Sequence, residues 1–542
     1  MIFLSTLLLA VLITIVLIPL LSSLAMRYQL VDIPNDRKVH HQPIPRVGGI
    51  AMALGAFIPI VYWNYAERFV HAYLAGGCLL VLFGAVDDFR DLSPGIKFAG
   101  QIAAALIAIL YGGVEIRNLG MLAPDNFLLP EWIAIPLTLL AIVGVTNAIN
   151  LADGLDGLAG GICLLIFCCI GFLAYLGGNN IIGLISLALA GSIFGFLRFN
   201  TYPASVFMGD AGSQFLGFSA ITLSLALTQG QTPLSPVLPL ILVGFPVLDT
   251  LTVMCTRIAR GRSPFAADKN HFHHNLMGIG LHHSESVLAI YIIQTVLVVV
   301  AYLFRFQSEW LLLLGYLFFS TLIVLLFSLA TRTGWHFVRF DLLDMLIIGN
   351  LKRLREEGTI IRVTFRIFEN GIPFLLFLTC LLPAQVPRYV SAASLGMLAV
   401  LLVAWLLRRE MPVSLLRMVL YLLIPFAVYL SDHNMPLWMD EPIVKSYNCL
   451  FGMFAVFIII ISKFSRRRGG FKSTPLDFLI LFLVLVGPNL PDLGIQDSHI
   501  GLVAAKVIIL YFCFEVLIAE LRGKCNRLAV AILGSLLVIG IR

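Results

Sequence analysis

The chain of 542 residues is 59% hydrophobic and only 12% charged, with a mean hydropathy of +0.96; a soluble globular protein carries roughly 25% charged residues. That composition excludes an ordinary soluble enzyme and specifies a polytopic membrane protein. The formal charge of +6 then reports topology and contact with anionic lipid, and gives no separate evidence for a nucleic-acid partner. Apolar stretches of about 15 to 22 residues are read as spanning helices. The first, residues 2–25, is too long for a signal-peptide core and has no Lys or Arg before it, so it is expected to remain as a span with its N-terminus outside.

Further spans follow at 48–63, 71–86, 98–112, 132–148, 158–176, 181–197, 213–228, 237–256, 286–304 and 310–330. Beyond a basic segment come 371–384, 389–407, 414–430, 447–462, 475–488, 500–519 and 527–541. The fold class is therefore all-α and membrane-embedded. It divides into an eleven-helix core over 1–330, a basic linker over 331–370, and a C-terminal module of about seven further spans over 371–542. In the linker, Leu343, Ile347, Leu351 and Leu354 recur at helical spacing beside Lys352, Arg353 and Arg355, which predicts an interfacial helix. Residues 362–368 alternate polar and apolar as a short strand would.

Positive charge tests the count, because cytoplasmic loops retain Lys and Arg. With loops alternating from an outside N-terminus, only Arg68, Arg117, Arg305, Arg388, Lys445 and Arg542 of the 36 basic residues fall outside, and Lys506 falls within a span. The acidic clusters then all face the cytoplasm. Nine Cys residues include no C-x-x-C pair, so neither a disulfide framework nor a zinc ribbon is suggested.

The chemistry concentrates at the ends of these spans. Asp87, Asp88 and Asp91 close the third span, where like charges this near repel unless a cation or proton is shared; a solvated loop with turn chemistry at Ser93 to Gly95 is the plainer alternative. Asn147, Asn150, Asp153 and Asp156 fall within ten residues, too many polar groups for packing alone in a bilayer. Asp153 and Asp156 would share a helix face, or Gly154 and Gly157 would form a tight turn with Asp156 capping the helix that opens at Leu158. Asn200, Phe207 and Asp210 precede a helix start, where the dipole and a nearby acid suit a metal-bridged phosphate; an ordinary N-cap by Asp210 or Ser213 fits equally.

Arg257, Arg260, Arg262 and Lys269 lead into His271, His273 and His274, a positive and imidazole cluster suited to a diphosphate more than to zinc. The opening loop, with Asn35, Asp36, Arg37, Lys38, His40, His41 and Arg46, repeats that chemistry. Asp249 is an intramembrane carboxylate near the inner end of its span. The pairs Arg408/Arg409 and His282/His283 lack such company and read as solvated loop residues.

In order, these motifs resemble the polyprenyl-phosphate N-acetylhexosamine-1-phosphate transferases, glycosyltransferase family 4: Pro45 to Gly49, Asp87-Asp88 with Asp91, Asn147 to Gly157, Asn200 to Pro203 with Phe207 to Asp210, and His271 with His273 and His274. The likeness covers about residues 1–330, and the His-x-His-His form and the Arg37 to His40 loop look like the branch acting on UDP-GlcNAc and undecaprenyl phosphate. The resemblance implies transfer of a sugar 1-phosphate from a UDP-N-acetylhexosamine to the polyprenyl phosphate, with release of UMP, as the opening step of a lipid-linked envelope polysaccharide such as lipopolysaccharide O-antigen. The chain would sit in a bacterial inner membrane.

By motif, Asp210 and Asn150 would ligate Mg²⁺, with Mn²⁺ the alternative, and Asp87 and Asp88 would orient or deprotonate the lipid phosphate. Asp153, Asp156, Asn147, Asn200 and Phe207 would line the nucleotide pocket. His271, His273 and His274 would take the diphosphate, with Asp91, Arg46, Asp249 and Lys269 in support. Downstream glycosyltransferases and a second copy of the chain are candidate partners. The rival readings are a transporter or lipid-carrier flippase, and a bifunctional chain whose residues 371–542 handle the lipid product.

Overall fold

A backbone inside a bilayer must satisfy its own hydrogen bonds, and the computed structural model is accordingly built almost wholly of helices. It describes residues 2–29, 31–32, 43–64, 66–124, 127–230, 232–263, 271–333, 359–408, 411–436, 438–464, 500–521 and 525–542. Among them, twelve helices are long and apolar enough to cross a membrane. The strands named there are the two-residue antiparallel pair β1 (Val31–Asp32) and β2 (Ile44–Pro45). The chain is an all-α polytopic membrane protein.

Two compact units divide it, Met1–Phe337 and Val338–Arg542. The first contains α1 (Ile2–Arg27), α2 (Gly48–Asn64), α3 (Arg68–Arg90), α4 (Pro94–Leu106), α5 (Glu131–Ala152), α6 (Leu158–Leu176), α7 (Asn180–Asn200) and α8 (Gly209–Thr228). The short α9 (Leu238–Leu242), α10 (Gly244–Ala259), the short α11 (Phe272–Gly278), α12 (His283–Leu303) and α13 (Glu309–Arg332) complete it. Successive spans alternate in direction. The ends of α3, α5, α7 and α10 and the starts of α4, α6, α8 and α12 therefore share one membrane face.

The most enclosed helix is α8, packed against α2, α3, α5 and α6. Small residues let the backbones approach: a Cβ at Gly84 of α3 would lie 2.4 Å from the Ala211 Cα of α8. The span expected at 237–256 is broken. Pro239 and Pro246 flank the interruption at Val243: Pro239 sits in the first turn of α9, where no N–H bond is lost, while the Pro246 ring leaves the Leu242 carbonyl without an i+4 donor. Side chains satisfy the carbonyls there: Gln294 Nε2 donates to Leu242 O at 2.7 Å and the Tyr316 hydroxyl to Gly244 O at 2.8 Å. At the opposite membrane face, buried Glu309 accepts from Met121 N and Ser235 Oγ, at 3.0 and 3.1 Å, and ties the loop after α4 to α13.

The second unit contains helices Thr359–Leu381, Arg388–Arg408, Val413–His433, Glu441–Phe464, Ile500–Leu521 and Asn526–Ile541. The strand expected over 362–368 is helix instead. Phe368, Ile372, Leu375 and Leu376 are fully buried at helical spacing, and burial of that face overrides the short polar–apolar alternation. The predicted interfacial helix over 343–354 and the span at 475–488 lie outside the described residues, as does the Asn35 to His41 loop.

Candidate active site

The last turn of α3 carries Asp87 inward, with its side chain almost fully buried. One carboxylate oxygen accepts the Leu92 N–H at 2.7 Å, and the other meets the Lys97 ammonium. Lys97, in the second turn of α4, also reaches Asp210 Oδ2 at 3.2 Å. One ammonium thus bridges an acid from α3 and an acid from α8. Asp88 caps α8: its two carboxylate oxygens accept the N–H groups of Asp210 and Ala211 at 3.0 and 3.2 Å. Gly209 makes room for this with φ +70°, since a Cβ there would fall 2.3 Å from the Asp88 carboxylate. Asp91 lies outside this cluster, exposed in a left-handed conformation at the C-cap of α3.

One turn into α8, Ser213 Oγ donates to Asn150 Oδ1 of α5 at 2.5 Å. Asn147 lies a turn deeper, exchanging hydrogen bonds with buried Gln101, which also reaches Gln214 at 3.3 Å. After α5 the chain turns, with Gly157 at φ +81°. Asp156 does not cap α6; its Oδ2 accepts the Ala204 N–H at 2.9 Å, because the N-cap position is taken by Gly157. Asn200 Oδ1 accepts the Gly157 N–H at 2.9 Å while its Nδ2 donates to Val206 O, also at 2.9 Å. The two loops are stitched side by side.

The histidine segment arrives from the other direction. Buried Asp249 accepts the Phe272 N–H at 2.7 Å and lies 2.9 Å from His271 Nδ1. His273 is buried, with its ring over Gly154, where an added Cβ would meet Nε2 at 2.5 Å. His274 is exposed beside it, ring centroids 4.2 Å apart. Backbone bonds of 2.8 to 2.9 Å zip Pro45, Gly48 and Gly49 onto Phe207 and Met208, and this brings in Arg46, ion-paired with Asp32. Lys269 lies outside the described residues.

Negative charge dominates the cluster. Burial, then the charges of Asp210, Asp88 and Asp156, push Asp153 up to about 7. His273 is pulled down to about 4, first by burial and then by its histidine neighbours, so it is neutral at pH 7. Among the described residues no group of three or more His, Cys, Asp or Glu is arranged as a metal cage. The oxygen donors that do converge, Asp87 and Asp210 around a shared cation with the Asn150 carboxamide beside Ser213, suit a hard divalent ion that also takes ligands from phosphate. Such an ion would also offset the repulsion from Asp210, Asp88 and Asp156 that adds to burial at Asp153.

Two contributors escape the sequence. Lys97, at the head of an apolar run, looks like a topological charge; the carboxylates at both its flanks appear only once α3, α4 and α8 are packed. His283 is not a solvated loop residue: its Nε2 accepts the Asp156 N–H at 3.2 Å and its ring stacks on Tyr202 at 4.4 Å. The start of α12, far along the chain, packs against the Asp156 turn.

Residues 70–228 match the family model described as glycosyl transferase family 4. Over 306 residues the chain is 38% identical to a Bacillus subtilis (strain 168) protein named "Probable undecaprenyl-phosphate N-acetylglucosaminyl 1-phosphate transferase", covering 55% of this chain and 83% of that one. It is 33% identical over 325 residues to the undecaprenyl-phosphate alpha-N-acetylglucosaminyl 1-phosphate transferase of Yersinia pestis, covering 58% and 88%. The Salmonella typhi protein of the same name is 32% identical over 335 residues, covering 60% and 90%.

Proposed function

The chain belongs to glycosyl transferase family 4, and on that premise we propose that it transfers N-acetylglucosamine 1-phosphate from UDP-N-acetylglucosamine to undecaprenyl phosphate, releasing UMP. The reading assigns the reaction to residues 1–330 and leaves 331–370 as a linker to the module 371–542. The observation that carries it is the meeting of α3, α4 and α8, where Lys97 joins Asp87 to Asp210 while Asp88 caps α8. Functional side chains gathered at helix ends, and not at mid-membrane, favour an enzyme over a transporter.

Attack of a lipid phosphate oxygen on the β-phosphorus demands that several negative charges be held together, so the protein's task is positioning and charge screening. Asp210 and Asn150, with Asp87 next to them, would hold Mg²⁺. When bound, that ion would screen the diphosphate and favour UMP as leaving group. The α8 N-terminus, fixed by Asp88, directs its dipole toward the same charge. Lys97 neutralises the carboxylates before substrate arrives and is then placed to meet the lipid phosphate. Asp153, Asp156, Asn200 and Phe207 border the uridine, and His271, His273 and His274 supply donors to the diphosphate. The site opens to the cytoplasm of the bacterial inner membrane, where the product starts an envelope polysaccharide.

UMP release from a panel of UDP-sugars, with undecaprenyl phosphate and Mg²⁺, tests this in wild type and Asp210→Ala. UDP-N-acetylglucosamine is expected to be preferred and the variant inactive. Equal UMP release by the variant would remove the metal assignment, and no release from any UDP-N-acetylhexosamine would remove the reaction.

A further inference from the structure

Between α5 and α6 the chain turns over Asp153 to Gly157, and the closing residues of that turn are held from distant parts of the sequence. The Gly157 N–H goes to Asn200 of α7 at 2.9 Å, the Asp156 N–H to His283 Nε2 at 3.2 Å, and the Gly157 carbonyl accepts the Tyr291 hydroxyl at 2.6 Å. His273 closes over Gly154, where an added Cβ would meet its ring at 2.5 Å. His273, His283 and Tyr291 belong to one stretch, α11 and α12 with the short link between them. Helix packing alone does not explain these side chains. The Tyr291 hydroxyl enters a notch kept open by Gly161, since a Cβ there would lie 2.0 Å from it. Accepting from Asp156 places the His283 proton on Nδ1, which is buried and has no hydrogen-bond partner among the described residues. An apolar side chain would fill that place without stranding a donor, so the imidazole is kept for its bond to the turn.

We propose that His283 and Tyr291 are positioning residues for the nucleotide: from α12 they hold the Asp153 to Gly157 turn in the shape that receives the uridine. The inference rests on the reading that this turn borders the uridine, and neither residue touches a reacting atom. The same stretch carries His271, His273 and His274, so one segment braces both the uridine end and the diphosphate end of the donor. The lipid phosphate is met instead by Asp87 and Lys97, on α3 and α4, which take no part in this brace. Loss of either contact should therefore loosen the grip on the donor and leave the acceptor side alone.

Isothermal titration calorimetry of UMP into the full-length chain in detergent reads the pocket without turnover, and initial rates of UMP release then separate KM from kcat. Tyr291→Phe and His283→Leu are each expected to weaken UMP binding roughly fivefold, the scale of one net hydrogen bond. KM for UDP-N-acetylglucosamine should rise in step, while KM for undecaprenyl phosphate holds and kcat changes by less than about twofold. His283→Gln, whose amide oxygen can stand where Nε2 accepts, should restore most of the affinity. Unchanged UMP affinity in Tyr291→Phe and His283→Leu, no restoration by His283→Gln, or a loss confined to kcat would each overturn the inference while wild-type binding of UMP upheld the transferase reading. Wild type that bound no UMP would instead overturn the placing of uridine at this turn, and the inference with it.

Discussion

The carboxylate of Asp88, on the last turn of α3, caps the first turn of α8 by accepting the N–H groups of Asp210 and Ala211 at 3.0 and 3.2 Å. Replacing it by Ala leaves two helix N-terminal donors without their acceptor, at a cost of about 1–3 kcal/mol. It also frees the segment that carries Asp210. Asp88→Ala is therefore expected to lower the thermal midpoint of the detergent-solubilised protein and to cut UMP release by roughly a hundredfold. Asp88→Asn, which keeps one acceptor oxygen, should recover much of the stability and little of the turnover. Full activity in Asp88→Ala would show that the cap does not position the site.

Lys97 occupies the space between Asp87 and Asp210 that a divalent cation would use. Its removal leaves two facing carboxylates without their shared charge. Lys97→Gln is expected to bind Mn²⁺ roughly tenfold more tightly, a gain of ~1.4 kcal/mol, as followed by electron paramagnetic resonance titration. UMP release should nevertheless fall, because the lipid phosphate loses its cation. Chelation with EDTA is expected to abolish turnover in wild type and Mg²⁺ to restore it. Weaker Mn²⁺ binding in Lys97→Gln would mean that the lysine supports the ion and does not compete with it.

The spans were legible because lipid enforces apolar runs of helical length, and α6 occupies the same 158–176 expected from hydropathy. The break at Val243 was written in Pro246, but a window average across 237–256 conceals a single interruption. The acid and histidine motifs stood out because such residues are rare beside apolar runs. Their partners did not. Lys97 and His283 acquire their contacts from helices far away in sequence, and the capping role of Asp88 depends on how closely Gly84 lets α3 approach α8. Asp156 turns to Ala204 because Gly157 takes the N-cap position of the helix that follows.

Asp249 holds the histidine segment from beneath, through His271 Nδ1 at 2.9 Å and Phe272 N at 2.7 Å. A carboxylate behind an imidazole fixes its tautomer and ring orientation, and losing such support commonly costs 10- to 100-fold in metal sites of similar design. Asp249→Asn keeps the shape but alters the hydrogen bonding. It is expected to raise KM for the UDP-sugar about tenfold with a smaller change in kcat, since it loosens donor binding and touches no reacting atom. An equal loss in kcat at unchanged KM would place Asp249 in the chemical step instead.

His273 provides the pH signature. Burial and its histidine neighbours hold it at about 4 in the folded protein, against about 6.5 for an unperturbed imidazole. The unfolded chain binds the extra proton across that interval, so the stability contribution is intact above about pH 6.5 and is lost as pH falls toward 4. Thermal midpoints should decline over this window in wild type, and less steeply in His273→Gln. A bound diphosphate reverses the preference, because negative charge beside the ring favours the imidazolium. Donor binding should therefore draw in a proton between pH 4 and 7, and affinity for UDP-N-acetylglucosamine should rise as pH drops from 7 to 5.5 in wild type but not in His273→Gln. Calorimetry in buffers of different ionisation enthalpy measures that uptake directly. A proton count of zero, or the same count in the variant, would remove His273 from the diphosphate end of the pocket.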